Sequence, residues 1–200
     1  MRSAAASPST FASCLLPPDR RGRVLETDRL NLRELTQDDA EFIVAQLNDP
    51  DFIRNVVDRG VRTIEAARAY IADVPMASYH RHGFGLRLVE LKGAHTPIGI
   101  CGLIKRDALD DVDIGFAFLP PYRAQGFALE AATATMSLAR TLGLSRIVAI
   151  VAPHNADSIK LLDKLGFRHE RRIRLGDDAE ELLLYAVALA VSESSPRNEH

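Results

Sequence analysis

The chain has 200 residues, of which 46% are hydrophobic and 26% charged, so it can bury one sizeable core and a single domain is expected. A formal net charge of −2 disfavours nucleic acid or an anionic membrane as a partner, and no apolar run is long enough to span a bilayer. Cys14 and Cys101 lie too far apart in the sequence for a metal site or a disulfide framework, so we expect no metal and a reducing cytoplasm.

The two ends differ in composition from the rest of the chain. Residues 1–23 are rich in Ala, Ser, Pro and Arg and contain one acidic residue, Asp19, which predicts a disordered leader. An organelle transit peptide is the alternative, but three prolines interrupt any amphipathic helix there. Residues 192–200 are polar and are predicted to form a disordered tail. The single predicted domain therefore spans residues 24–191.

Strands and helices are predicted to alternate in the first half of this domain. Hydrophobic periodicity and capping residues predict a strand over 24–35 and a helix that begins at Thr36 and runs to about Leu47. Loops are predicted over 49–63, followed by a helix that begins at Thr63 and whose pattern weakens at Pro75. Two strands are then predicted, over 84–91 and 97–105. A further strand is predicted over 112–119. Its aromatic residues share one face and Asp113 lies on the other, while Gly115 marks either a close approach or a packing adjustment.

The most informative stretch follows that strand, between Pro120 and Ala128. It reads as a tight loop that leads into a helix over 126–142, which Gly143 ends. The first N–H groups of a helix have no partner within the helix and carry partial positive charge, so this loop predicts a phosphate site. A dinucleotide-binding loop is the competing interpretation, but the chain lacks the pattern Gly-x-Gly-x-x-Gly.

The apolar, β-branched run over 147–151 predicts a buried parallel strand, which completes a strand, helix, strand unit. Asn155 then caps a helix that contains Ser158 and ends at Gly166. Both side chains are predicted to lie near the same strand ends as the phosphate loop. Strands over 168–175 and 181–191 close the domain.

These motifs resemble the GCN5-related N-acetyltransferase (GNAT) superfamily, over residues 25–189. The matching stretches are Arg123-x-x-Gly126-x-Ala128, Thr27-Asp28-Arg29-Leu30-x-Leu32-Arg33, Asn155-x-x-Ser158 and Lys164-Leu165-Gly166-Phe167. They are most similar to the branch of ribosomal-protein N-terminal acetyltransferases. The resemblance implies an α/β fold with a mixed, mostly antiparallel central sheet, flanked by helices and splayed at a parallel strand pair.

The resemblance also implies that acetyl-CoA is the acetyl donor. Its pyrophosphate would be held by the backbone of the loop, and its pantetheine arm would pair with the preceding strand. The implied binding residues are Phe118, Leu119, Pro120, Arg123, Ala124, Gln125, Gly126, Phe127, Ala128 and Asn155. Ala124 stands where relatives often have glycine.

Three residues are candidates for the chemistry. Many relatives use a tyrosine to protonate the departing thiolate, and Leu162 occupies the matching position here, so the resemblance implies Ser158 as the substitute. Supporting the helix start is the alternative role for Ser158, and Asn155 is either a pantetheine contact, a cap or both. Asp113 is the candidate base, and a solvated or ion-paired carboxylate is its alternative.

We therefore expect direct transfer of an acetyl group to an amine, without a covalent intermediate because Cys101 lies inside a predicted strand. An α-amine with a pKa near 7.8 is neutral in roughly one molecule in ten at pH 7, far more than a lysine amine, so it needs less help from a base. A peptide N-terminus is the expected acceptor, with small amines or antibiotics as alternatives. A non-catalytic acyl-CoA sensor is the alternative function, and similar proteins often form homodimers.

Overall fold

A single sheet of eight strands runs through the computed structural model, which describes residues 24–176 and 180–189. The strands are β1 (Leu25–Glu26), β2 (Leu30–Glu34), β3 (Leu86–Leu91), β4 (Pro97–Ile104), β5 (Val112–Phe118), β6 (Arg146–Val151), β7 (Arg168–Ile173) and β8 (Leu182–Ala188). Their order is β1-β2-β3-β4-β5-β6-β8-β7, and the β5–β6 pair alone is parallel. The predicted mixed, mostly antiparallel sheet is confirmed. The predicted leader and tail lie outside the described residues.

Helices cover both faces of the sheet. They are α1 (Ala40–Leu47), α2 (Pro50–Asn55), α3 (Ile64–Ile71), α4 (Ala77–His82), α5 (Phe127–Thr141) and α6 (Ala156–Lys164). On one face α5 buries a stripe of alanines that includes Ala131 and Ala139, and these small side chains let the helix lie close to β4 and β5. On the other face α1 and α3 bury Ile43 and Ile71 in a second cluster. None of the helices in the described part of the chain is both long and apolar enough to cross a membrane.

The sheet opens between its two parallel strands. Strands β5 and β6 pair through only two positions, Val112 with Ile147 and Asp113 with Val148. Beyond that point β6 stays paired with β8 as far as Val151, and β5 stays paired with β4. The second half of β5 therefore has no strand partner on the side that faces β6, and the predicted splay is confirmed.

Two predicted elements differ in the structure. The stretch 24–35 forms two strands, because Thr27 turns the chain by exchanging hydrogen bonds with Leu30. The predicted loop over 49–63 contains α2, which Asp49 caps by accepting from Phe52 N–H at 3.1 Å. Around Pro75, where the helical pattern was predicted to weaken, α3 gives way to a wide π-helical turn over Ala72–Met76, which accommodates the missing N–H and carries the chain into α4.

Candidate active site

The loop between β5 and α5 is shaped by two residues in the left-handed region of backbone space. A short 3-10 turn over Pro120–Tyr122 comes first, and then Ala124 has φ +57° and Gly126 has φ +83°. Glycine adopts such angles without the clash that a Cβ brings, whereas Ala124 pays roughly 1 kcal/mol for its side chain. This is the physical reason why glycine suits position 124 in relatives.

This conformation leaves a row of backbone donors free at the start of α5. The first hydrogen bond of the helix joins Glu130 N–H to the carbonyl of Gly126 at 3.1 Å. Among the described residues, the N–H groups of residues 124–129 have no acceptor. Because α5 is 15 residues long and its dipole points at the loop, these donors are suited to bind an anion and form a candidate anion site.

The turn between β1 and β2 braces this loop through Glu130. The Glu130 carboxylate accepts from Thr27 Oγ1 at 2.5 Å, from the N–H of Arg29 at 2.9 Å and from Arg29 Nε at 2.7 Å. Arg29 also donates to the carbonyl of Gln125 at 3.1 Å and stacks over the Phe127 ring at 4.4 Å. Burial opposes the effect, but the bonds from Thr27 and Arg29 hold the pKa of Glu130 below its usual value. The Thr27-x-Arg29 motif thus positions the anion site.

Arg123 has different partners from those that its place in the motif suggests. Its guanidinium forms ion pairs with Asp49 and Asp51, and its Nε donates to the carbonyl of Phe118 at 2.7 Å. Two carboxylates therefore neutralise the charge of Arg123, which the resemblance includes among the cofactor-binding residues. Since Asp49 also caps α2, the Arg123 side chain ties that helix to the loop. The cations of Lys160 and Lys164, on α6, line the same space.

A first cleft of about 770 Å³ begins at the anion site and runs between α2 and α6 to the open edge of β5. The structure brings seven predicted residues to its wall: Phe118, Arg123, Ala124, Gly126, Ala128, Asn155 and Ser158. Four of the predicted cofactor-binding residues do not line it. Leu119 and Pro120 lie beyond the cleft, Phe127 is buried in the core, and Gln125 Nε2 donates to the carbonyl of Pro121 at 2.6 Å.

A second cleft, of about 890 Å³, lies on the α3 side of the opening. Asp113, Tyr70 and Arg106 line it, together with aliphatic side chains of β4, β5 and β6. The two clefts share Phe116, Ala117, Asn155 and Ser158, besides residues of α2. They therefore meet where β5 and β6 diverge, so ligands that enter from opposite sides would come together there.

The open edge of β5 presents backbone groups at this meeting point. The N–H of Leu119 donates to the carbonyl of Ile98 at 2.9 Å, so it faces β4. Because antiparallel pairing alternates along a strand, the backbone groups of Phe116 and Phe118 face the opening instead. The backbone donors on the open side of β5 therefore belong to Phe116 and Phe118.

Asn155 and Ser158 begin α6 at the same place. Asn155 Oδ1 accepts from the N–H of Ser158 at 3.2 Å, which confirms the predicted cap. Among the described residues, the Asn155 amide nitrogen and the Ser158 hydroxyl have no hydrogen-bond partner, so both remain able to bind a ligand. One turn further on, Leu162 is 1% exposed and offers no proton donor.

Asp113 is a buried carboxylate with one oxygen outside its ion pair. The residue is 1% exposed, Oδ2 accepts from Arg106 Nε at 2.6 Å, and Oδ1 makes no hydrogen bond of normal geometry among the described residues. Burial raises the pKa of Asp113 to about 6, and the Arg106 charge and the nearby backbone N–H of Ile150 only partly oppose this. The carboxylate is thus ion-paired, as the alternative interpretation expected, yet it retains an oxygen that can accept a proton.

Cys101 is not placed for chemistry. Its side chain is fully buried, and burial raises the pKa of the thiol to about 12, so a reactive thiolate does not form at neutral pH. Within residues 24–176 and 180–189, no three His, Cys, Asp or Glu side chains are grouped as metal ligands would be.

The sequence interpretation missed several residues of this site. Tyr70, Arg106 and the α2 residues Phe52 and Asn55 line the second cleft, and none of them belongs to a recognised motif. For α2 a signal was present, because an aspartate followed directly by proline is a common helix start. For Tyr70 and Arg106 the sequence carries no such signal.

Comparisons with known proteins agree with this geometry. Residues 29–168 match the family model described as an acetyltransferase (GNAT) domain. The chain is 32% identical over 154 residues to the Bacillus subtilis protein named "Uncharacterized N-acetyltransferase YoaA", covering 76% of this chain and 86% of that protein. A GNAT-family acetyltransferase structure from Bacillus anthracis is 26% identical, with a TM-score of 0.69 over 83% of this chain and 98% of that one. The fold is also shared with RimL, a ribosomal L7/L12 α-N-protein acetyltransferase solved with coenzyme A, at 14% identity and a TM-score of 0.72, over 84% of this chain and 99% of that one.

Proposed function

The chain belongs to the GNAT acetyltransferase family and is an N-acetyltransferase, and from that premise we propose that it transfers the acetyl group of acetyl-CoA directly to an α-amine. The observation that carries the proposal is the meeting of two clefts at the unpaired edge of β5. One cleft begins at an anion site and the other contains a buried base. Such an arrangement brings a donor and an acceptor together without a covalent intermediate.

Three features along the first cleft support acetyl-CoA as its ligand. The free N–H groups of residues 124–129 suit a pyrophosphate, and Lys160 and Lys164 supply positive charge beside it. The open edge of β5 suits the two amides of a pantetheine arm, because a linear amide chain can pair with a strand as another strand would. Asn155 supplies a further amide donor near the end of that edge.

The donor supplies an acetyl thioester, which the amine nitrogen attacks so that a C–N bond forms as the C–S bond breaks. A backbone N–H of Phe116 or Phe118 stabilises the negative charge that develops on the carbonyl oxygen. Asp113 Oδ1 accepts the proton that the amine loses, directly or through water, while Arg106 holds Oδ2. The Ser158 hydroxyl provides a proton to the departing thiolate.

The ionisation of the acceptor itself favours an α-amine over a lysine side chain. Against a base with a pKa of about 6, an α-ammonium near 7.8 gives up its proton with an unfavourable ratio of roughly sixty to one. A lysine ammonium near 10.4 does so with a ratio of roughly twenty-five thousand to one. The difference between the two amines is the same for any base, so the preference for a peptide N-terminus or another α-amine comes from the acceptor and not from Asp113.

The test is release of free coenzyme A thiol from acetyl-CoA in the presence of amines. We expect release to be stimulated by peptides with a free α-amine, and much less by the same peptides when the α-amine is blocked and a lysine is the only amine. A control without acceptor measures hydrolysis. Tight binding of coenzyme A without stimulated release by any amine would instead support the non-catalytic sensor.

The cytoplasmic location and the homodimer stay predictions. Light scattering of the purified protein measures its oligomeric state.

A further inference from the structure

The second cleft holds more charge than an amine alone requires. Besides Asp113, its wall carries the phenol of Tyr70 and the guanidinium groups of Arg59 and Arg106. We infer that the acceptor is an amine that carries an anionic group, with the ammonium at Asp113 and the oxyanion at Arg59, Tyr70 and Arg106. This inference rests on the proposed function, since it assigns the second cleft to the acceptor.

The cationic side of the cleft has free hydrogen-bond donors. Among the described residues, Arg59 has no carboxylate partner and the Tyr70 hydroxyl has no hydrogen-bond partner. Arg106 uses only its Nε to bind Asp113, so its two terminal nitrogens have no acceptor among the described residues. A guanidinium and a phenol that face one cavity are well suited to bind a carboxylate or a phosphate.

Burial strengthens any charge interaction here. The Arg106 side chain is 25% exposed and Tyr70 is partly buried. Burial raises the pKa of Tyr70 and the charges of Arg59 and Arg106 oppose it, which places both cations within electrostatic reach of the phenol. In such a partly desolvated cavity an added anion gains more than it would on an open surface.

The remaining charges of the cleft do not cancel this cationic side. Arg54 lines the cavity but forms an ion pair with Asp51 at 2.5 Å. Glu180 also lines the cavity and is exposed, as Arg59 is, so water screens both of these charges and the half-buried donors of Arg106 and Tyr70 dominate the cationic side. Asp113 is occupied by Arg106 and, in the complex, by the ammonium. The acceptor would therefore carry its positive charge towards β5 and its negative charge towards α3.

The experiment compares three amidated tripeptides that differ only at the second residue, which is Glu, Gln or Lys after an N-terminal Ala. We expect the highest kcat/KM for Glu, and about a tenfold loss for Glu alone in the variants Arg59→Ala and Tyr70→Phe. Free glutamate is a further arm, because a carboxylate on a small amino acid offers the same chemistry as an acidic peptide. A faster reaction of the Glu tripeptide would identify the acceptor as an acidic peptide, and a faster reaction of free glutamate would identify it as a small acidic amino acid.

Arg62→Ala is the matched control, because Arg62 lies on the same loop, is paired with Asp58 at 2.7 Å and does not line the cleft. It should leave all three tripeptides unchanged. Equal kcat/KM for the Glu, Gln and Lys peptides, or an unchanged preference in both cleft variants, would overturn the inference while leaving the proposed function intact. Failure of the proposed function looks different, since no acceptor would then stimulate thiol release.

Discussion

Replacing Asp113 by Asn tests the proposed base through stability and activity together. Asn has the same shape but cannot ionise, and Asp113 is 1% exposed, so the substitution removes a buried negative charge with little change in packing. In the folded protein burial raises the pKa of the Asp113 carboxyl from its ordinary value of 3.8 to about 6. The folded protein therefore holds this proton more tightly than the unfolded chain does.

The sign of the stability effect follows from that difference. Because folding raises the pKa, the contribution of Asp113 to stability is complete below the ordinary value and is lost as the pH rises through the interval from 3.8 to about 6. Each tenfold change in proton affinity is worth about 1.4 kcal/mol, so the full loss is about 3 kcal/mol. Relative to Asp113→Asn, the wild-type free energy of unfolding should fall by roughly that amount over this interval and stay level above it.

Urea unfolding of both proteins at a series of pH values measures this difference, because the other titrating groups cancel between them. Thiol release over the same range measures the activity. The wild-type kcat/KM should decline below about pH 6, and Asp113→Asn should lose roughly a hundredfold or more and follow only the ionisation of the amine. Asp111→Asn is the control, since that carboxylate is only half-buried and forms an ion pair with Arg146. A stability difference that does not vary with pH, or a variant that keeps its activity, would refute the reasoning.

The other predictions concern the loop and α6. Gly126→Ala should lower Tm by about 2–4 °C and weaken coenzyme A binding in calorimetry, because the residue has φ +83°. Ala124→Gly should leave Tm and binding unchanged or improve them, and equal behaviour of the two variants would contradict the assigned backbone strain. Glu130→Ala should raise the Kd for coenzyme A about tenfold by releasing the brace of the loop, and a Kd that stays at the wild-type value would show that the brace is dispensable. Ser158→Ala should lower kcat about a hundredfold with cofactor affinity intact, and intact turnover would remove Ser158 from the mechanism. The control is Ser137→Ala, on the exposed side of α5, which should have no effect.

Local sequence signals were sufficient for the elements that carry the site. The alternation over 112–119, the loop at Gly126 and the cap at Asn155 depend on neighbouring residues, and each was predicted close to its observed bounds. The splayed sheet and the acyl-CoA loop came from the resemblance, which rests on motifs with those same local causes.

The sequence does not indicate which distant side chains form ion pairs in the folded protein. Arg123 lies more than 70 residues from the carboxylates that bind it, and no local pattern indicates that its side chain turns away from the loop. Asp113 and Arg106 are only seven residues apart, and an ion-paired carboxylate was one of the two expected roles of Asp113. The sequence did not indicate that this carboxylate is buried, because a charged residue in a strand is compatible with either face until the packing is known.

The gap between β5 and β6 is an unusual place for an unsatisfied strand edge. At the rim of a sheet such an edge invites other polypeptides and promotes aggregation. Here the edge lies inside the sheet, between α2 and α6, rather than at its rim. The protein thus keeps unpaired backbone groups available to a ligand without adding another free rim to the sheet.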